Sequence, residues 1–224
     1  MNWQAIRLSL ELAGSVAGIL LVAGLPIAYW VTFSRWRWKF LVEAIVALPL
    51  VLPPTVLGYY ILAGLGPRNL PGKIWQSWFG QPLPFTFGGL LVASVLYSLP
   101  FAVQPISAGF ESVDRRLIEA SWTLGASPLA TFFRVILPLS AAGVVTGMVL
   151  SFAHTIGEFG VVLMVGGNIP GVTRTVSIDI YDQVQAGNYD AANRTALLLL
   201  FFSFLVLSIV YGMNRRALSL WRKP

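Results

Sequence analysis

Five stretches of this chain, residues 12–33, 44–65, 85–110, 136–157 and 195–214, are apolar over the length of a bilayer crossing. That single feature constrains the fold more than any motif. A helix needs about 20 apolar residues to cross the hydrocarbon core. Backbone groups find no water there, so each crossing segment must bond its own donors and acceptors, as an α-helix does. Strands of a membrane barrel are shorter and alternate apolar with polar residues; these segments do not alternate. Composition agrees, with 56% apolar residues, 11% charged residues and a mean hydropathy of +0.74, where soluble domains carry about 25% charged residues. The expectation is an all-α integral membrane protein of five transmembrane helices, one domain over residues 1–224. The start, Met1-Asn2-Trp3-Gln4, lacks a charged leader, so no cleavable signal peptide is expected.

The chain holds 15 Lys and Arg against 9 Asp and Glu, with a pI near 10.0. On a soluble domain such an excess points to nucleic acid. In a membrane protein it reflects the collection of Lys and Arg in cytoplasmic loops, and no nucleic-acid partner is expected. Placing the carboxyl end inside groups Arg215, Arg216, Arg222 and Lys223 with Arg35, Arg37, Lys39, Arg115, Arg116 and Arg134. The outer set, Arg7, Arg68, Lys73, Arg174 and Arg194, is half as large. The bias predicts a multi-pass protein of a bacterial cytoplasmic (inner) membrane with its amino terminus out and carboxyl terminus in. Trp30, Trp36, Trp38, Trp75, Trp78 and Trp221 fall at expected helix ends or loops, where amphipathic rings favour the interface. With no Cys, disulfide scaffolds and thiolate metal sites are excluded. No His, Asp or Glu spacing points to a metal set, and Gly72-Lys73 is followed by Ile74, so no phosphate-binding loop is present. No cofactor is expected on this chain.

Between the third and fourth spans, residues 112–135 read as a hairpin of two short helices. Ser112 is placed to cap the first, whose apolar positions Val113, Leu117, Ala120 and Leu124 share one side. Gly125 supplies a left-handed stop, and Ser127-Pro128 opens the second helix. Such an element either rests on the membrane surface or transmits a push from a partner; periodicity leaves both open.

The run Glu119-Ala120-Ser121, then Thr123-Leu124-Gly125-Ala126 and, downstream, Phe133, Val135, Leu137 and Pro138, resembles the "EAA" loop of ABC importer permeases. Ser121 stands where that family's triad carries a second Ala. Leu48-Pro49-Leu50-Val51-Leu52-Pro53-Pro54-Thr55-Val56-Leu57-Gly58-Tyr59, Gly157-Glu158-Phe159-Gly160 and Gly167-Asn168-Ile169-Pro170-Gly171-Val172-Thr173-Arg174-Thr175 are similar to patterns of the molybdate and sulfate oxyanion branch. The resemblance covers roughly residues 40–190. It implies the type I importer permease (MetI-like) fold and a coupling role for Glu119, Ala120, Ser121, Leu124, Gly125 and Ala126. It further implies a homodimer, two cytoplasmic ABC ATPase subunits holding ATP and Mg, and a periplasmic or lipid-anchored binding protein. Some relatives carry an extra amino-terminal helix, which this chain is expected to lack. Molybdate is the implied cargo, with tungstate and sulfate or thiosulfate as alternatives, all being tetrahedral dianions.

Candidate pathway residues follow from chemistry. Pro53 and Pro54 remove backbone donors at membrane depth, a disruption tolerated where the backbone lines a cavity or is buried in protein. Ser94, Tyr97 and Ser98 share one face of the third span, Ser151 and Thr155 one face of the fourth; each face either lines a pathway or bonds helix to helix. Glu158 lies one turn beyond His154. A bare carboxylate repels a dianion, so a structural or gating role is expected, with Glu158 satisfied by His154 or by backbone donors. A proton relay through this pair would instead make the protein a secondary transporter. The loop 166–194 is read as facing outward, with Asn168, Pro170, Gly171 and Arg174 as docking candidates and a solvated connector as the alternative. A third rival, a membrane anchor that transports nothing, leaves the kinked span and the hairpin unexplained.

Overall fold

A computed structural model describes residues 2–221, with side chains as far as Gly212. Arg222 and Lys223, counted above among the inner charges, lie outside the described residues, as do the side chains of Arg215, Arg216 and Trp221. Among the described residues all regular structure is helical. The order is α1 (Trp3–Phe33), α2 (Lys39–Val51), α3 (Pro54–Leu65), α4 (Leu70–Phe79), α5 (Phe87–Glu111), α6 (Arg115–Thr123) and α7 (Pro128–Thr131). A π-helical stretch, Phe132–Ile136, follows, then α8 (Leu137–Leu139), α9 (Ala141–Gly157), α10 (Gly160–Gly166), α11 (Val176–Gln185) and α12 (Tyr189–Trp221).

The first span is longer than its apolar core. It begins at Trp3 rather than residue 12, because Asn2 caps it through the Ala5 N–H (3.2 Å) and its early polar residues are satisfied. Arg7 bonds Glu11 (2.7 Å), and the buried Ser9 hydroxyl accepts the Val176 N–H (2.8 Å). Leu8, Leu12, Val16 and Leu20 recur every four residues along α1 and pack against Leu90, Val162 and Ile178.

Two expected spans are not continuous. Residues 44–65 divide into α2 and α3, bent by 114°. Leu52 precedes Pro53 and Pro53 precedes Pro54, and a residue before proline is driven out of the helical region; both adopt extended ψ, 137° and 135°. Pro49, by contrast, stays inside α2. The fourth span is bent by 72° between Pro128–Leu139 and Ala141–Gly157. Pro138 follows the π-helical stretch, where the Leu137 N–H reaches back to the Phe132 carbonyl. At the bend Ser140 leaves helical geometry (ψ 7°) and its hydroxyl bonds the Ile136 carbonyl (2.7 Å). Among the described residues three helices are therefore long and apolar enough to cross alone, and five crossings result if each bent pair counts as one.

α1, α5 and α9 form the centre of the bundle. Glycines let the last two approach: Gly109 of α5 meets Gly143 of α9, and Gly147 of α9 sits against the Ala102 carbonyl. Without a hydrophobic drive between helices in lipid, such close contact is what holds them. The region after the fourth span is more structured than the connector read from sequence. α10 carries the fully buried Val161, Val162 and Val165 and packs between α3 and α5, where Gly58 faces Met164 and Gly160 faces Pro54. α11 packs on α1 and α12.

Candidate functional site

The hairpin after α5 is a braced elbow. Asp114, not Ser112, caps α6: its carboxylate accepts the Arg116 N–H (2.9 Å) and places negative charge at the helix's positive end. Ser112 instead closes α5, its hydroxyl donating to the Gly109 carbonyl (2.7 Å). Val113 and Ile118 are buried beside Phe110 and Ile136. Leu117, Ala120 and Leu124, read with Val113 as sharing one side, face outward; Trp122 is 53% and Leu124 87% exposed. Gly125 is left-handed (φ +82°), and its N–H bonds the Trp122 carbonyl while that of Ala126 bonds Ser121 (2.9 and 3.1 Å), the paired bonds of a Schellman stop. Ser127 caps α7 through Ala130 (3.3 Å). The hydroxyls of Ser121 and buried Thr131 meet at 2.9 Å and tie the two arms together. The departure at Ser121 is thus a used hydroxyl, which small-for-small substitution in the sequence did not reveal. Glu119, Ala120 and Gly125 are exposed and Ser121 and Ala126 half-buried, so an apolar tip without a partner among the described residues stands on a rigid stem.

Of the two readings left open for the polar faces of the third and fourth spans, bonding between helices is the one these contacts favour. Ser94, Ser98, Ser151 and Thr155 are all buried. Ser98 bonds both Thr155 (3.0 Å) and the His154 ring (2.9 Å), and Thr155 donates to the Ser151 carbonyl (2.8 Å). His154 lies stacked on Phe101 with centroids 3.9 Å apart. It does not reach Glu158, which ends α9 in an extended conformation (ψ 135°). The expected pairing fails because the helix stops between them. Glu158 is 4% exposed, and no group meets hydrogen-bond geometry at either carboxylate oxygen among the described residues; the Ser94 hydroxyl, otherwise without a partner, is the polar group that faces it. Only its backbone carbonyl is engaged, by the Ser177 hydroxyl. Pro54, Tyr97, His154 and Glu158 border a cleft of about 560 Å³, so this end of α9 gathers the bend in the second span with the lone carboxylate. Pro53 is exposed beside it.

Burying an unpaired carboxylate costs several kcal/mol, far more than an amide of the same shape. A Glu158→Gln chain is therefore expected to unfold at a temperature a few degrees above the parent in detergent. A lowered midpoint would show that the charge is compensated.

At the end of the bundle away from the elbow, Asn168, Arg174 and Asp182 lock one another. Asn168 donates to both Asp182 oxygens (2.8 and 2.6 Å) and accepts from Arg174 Nε (2.6 Å), while Arg174 also pairs with Asp182 at 3.3 Å. Gly167 and Gly171 are left-handed (φ +65° and +75°). Of the docking candidates, Asn168 and Arg174 thus spend their polar groups holding the loop, and Pro170 and Gly171 form its exposed tip with Ile169 and Val172. Asp179, assigned to the same outward connector, is buried and receives the Asn2 amide (2.9 Å).

A bent bundle with a rigid, partnerless elbow matches a known family. Residues 21–219 fit the model of the binding-protein-dependent transport system inner membrane component, and the chain belongs to that family. It is accordingly a transport component of the inner membrane, crossing it several times. Within the family it is 53% identical over 211 residues to the molybdenum transport system permease protein ModB of Azotobacter vinelandii, covering 94% of this chain and 93% of that protein. It is 35% identical to the protein of the same name from Escherichia coli K12, covering 93% and 91%, and 32% identical to a probable sulfate transport system permease of Zygnema circumcarinatum, covering 98% and 76%. Its fold is shared with a chain of the MetNI methionine ABC transporter in inward-facing conformations (TM-score 0.74, 18% identity, covering 97% and 96%). It is also shared with a chain of an alginate ABC transporter crystallised with its periplasmic protein (TM-score 0.68, 19% identity, covering 95% and 78%).

Proposed function

We propose that this chain is the membrane permease of an ATP-driven molybdate importer, working as a homodimer with two cytoplasmic ATPase subunits and an outer binding protein. The observation that carries the reading is the elbow. Its apolar tip has no partner among the described residues, while Ile118, the Ser121–Thr131 bond and left-handed Gly125 make it stiff, as a lever between a motor and a bundle must be. α1 runs from the Asn2–Asp179 end to the elbow end over 31 residues, about 46 Å at 1.5 Å per residue. That length supports opposite membrane faces for the elbow and the 168–174 tip, and the reading puts the elbow, with Arg35, Lys39 and Arg115, on the cytoplasmic side and the amino terminus outside. The ATPases grip Leu117, Trp122 and Leu124; the binding protein docks at Ile169–Val172, which Asn168 and Arg174 hold in shape.

A second copy is expected on the exposed apolar surface of α2 and α3, where Val51 is 83%, Tyr59 57% and Tyr60 67% exposed. The cleft at Pro54 and Glu158, flanked by Pro53, is the gate region of this reading, while Ser98 holds α5 to α9 through Thr155 and His154, with Ser94 and Ser151 buried beside that contact. Selection of molybdate rests on likeness to the relatives named for molybdenum transport. A proton-coupled carrier loses its motive, since His154 is occupied by Ser98 and stacked on Phe101. The test is uptake by vesicles holding this chain with its ATPase and binding protein. Molybdate is expected to accumulate only with ATP on the ATPase side. Accumulation driven by a pH gradient through this chain alone would overturn the reading.

A further inference from the structure

Two cavities beside the elbow share a wall. One is an apolar groove of about 650 Å³ between the second half of α1 and the α7–π segment, with Val22, Pro26, Trp30, Leu129 and Phe133 among its walls. The other, about 410 Å³, lies where α1 ends against α6 and is lined by Arg35, Lys39, Arg115 and Trp122, with Glu119 as the one carboxylate against those three cations. Tyr29 borders both and is fixed by an edge contact with Phe132 (5.4 Å).

The smaller cavity keeps an excess of positive charge, three cations against Glu119. Lys39 is engaged by Glu43 at 3.6 Å and by the Val31 carbonyl at 3.3 Å. Among the described residues, Arg35 and Arg115 make no ion pair at all. An apolar trough open to the bilayer that ends in two uncommitted guanidinium groups is complementary to one kind of molecule. We propose that the joined cavities hold an anionic phospholipid, with an acyl chain along Val22–Trp30 and the phosphate between Arg35 and Arg115.

The fit is chemical as well as geometric. Basic pockets between spanning helices at the membrane surface select anionic headgroups, guanidinium takes phosphate in a two-pronged bond, and Trp30 marks the interfacial depth at which a headgroup lies. The phosphate bridges the exit of α1 to the first turn of α6, so the lipid braces the elbow against the end of α1. The proposal needs only that the chain spans a bilayer; it stands or falls separately from the transport reading.

The test is native mass spectrometry of the intact purified chain after incorporation into phosphatidylcholine bilayers doped with phosphatidylglycerol. A retained phosphatidylglycerol is expected on the parent. An Arg35→Gln/Arg115→Gln chain should lose the preference for it by roughly 30-fold, about fivefold for each cation, and Leu129→Trp, which fills the groove, should reduce retention of either lipid. Arg37→Gln is the control, since Arg37 lies over the Trp38 ring and outside both cavities; it should change nothing. Equal retention of phosphatidylcholine, or an unchanged preference in the double variant, would overturn the proposal. So would displacement of the lipid by inorganic phosphate, which would mark a small-anion site. Capture of a protein instead of lipid by a photo-crosslinker at position 35 would also refute it.

Discussion

A Leu124→Asp chain should reach the membrane at the parent level, melt within a degree or two of the parent, and support less than a tenth of its coupled uptake. Leu124 is 87% exposed and touches nothing whose loss would unfold the protein; surface changes of this kind usually stay within about 0.5 kcal/mol. Seated in an apolar groove of a partner, however, a leucine contributes about 1.5–3 kcal/mol by burial, and a carboxylate in its place adds a desolvation cost. Each 1.4 kcal/mol is a tenfold loss of docking, so a drop of tenfold to a hundredfold in ATPase affinity is expected, read by co-purification and by uptake in reconstituted vesicles. Gly125→Val should act in the same direction by another route. Its φ of +82° penalises a β-branched residue by about 1–2 kcal/mol, which skews the Schellman stop and with it the aim of the tip. Normal uptake in Leu124→Asp would mean that nothing grips this surface.

The largest effect on the bundle itself is expected from Gly143→Leu. A Cβ at Gly143 would lie 2.6 Å from the Pro105 carbonyl oxygen and 2.8 Å from the Gly109 Cα. Both are backbone atoms, so no side chain can swing aside and the α5–α9 crossing must open. Overpacking commonly costs 1–3 kcal/mol; with backbone on both sides the upper end, about 3 kcal/mol or more, applies, against a total stability of about 5–15 kcal/mol. The separation would also break the Ser98–Thr155 bond, which spans the same two helices. Thermal unfolding in detergent should show a clearly lowered midpoint and membranes should hold much less of the chain. Gly18→Leu is the matched control, because nothing lies within 4 Å of its added Cβ. Equal midpoints for the two variants would show that the crossing is not tight.

The apolar runs alone determined that the chain is a helical membrane protein, since only an internally bonded backbone survives in lipid, and their length set the crossings close to where α1, α5 and α12 lie. The elbow was also legible locally: a left-handed glycine and a Ser-Pro start are signals written in neighbouring residues, and both formed as read. Its cap was misplaced by two residues because Ser112 and Asp114 are both competent caps, and only the end of α5 decides between them. What sequence could not show depends on contacts between distant segments. The pairing of Glu158 with His154 followed from helical spacing, yet the helix ends between them and Ser98, 56 positions away, takes the imidazole. The burial of α10, the turning outward of Leu117 and Leu124, and the meeting of Arg35 with Arg115 at one cavity were likewise settled by tertiary packing. Periodicity specifies which side chains share a face, but only the neighbouring helices fix what that face meets.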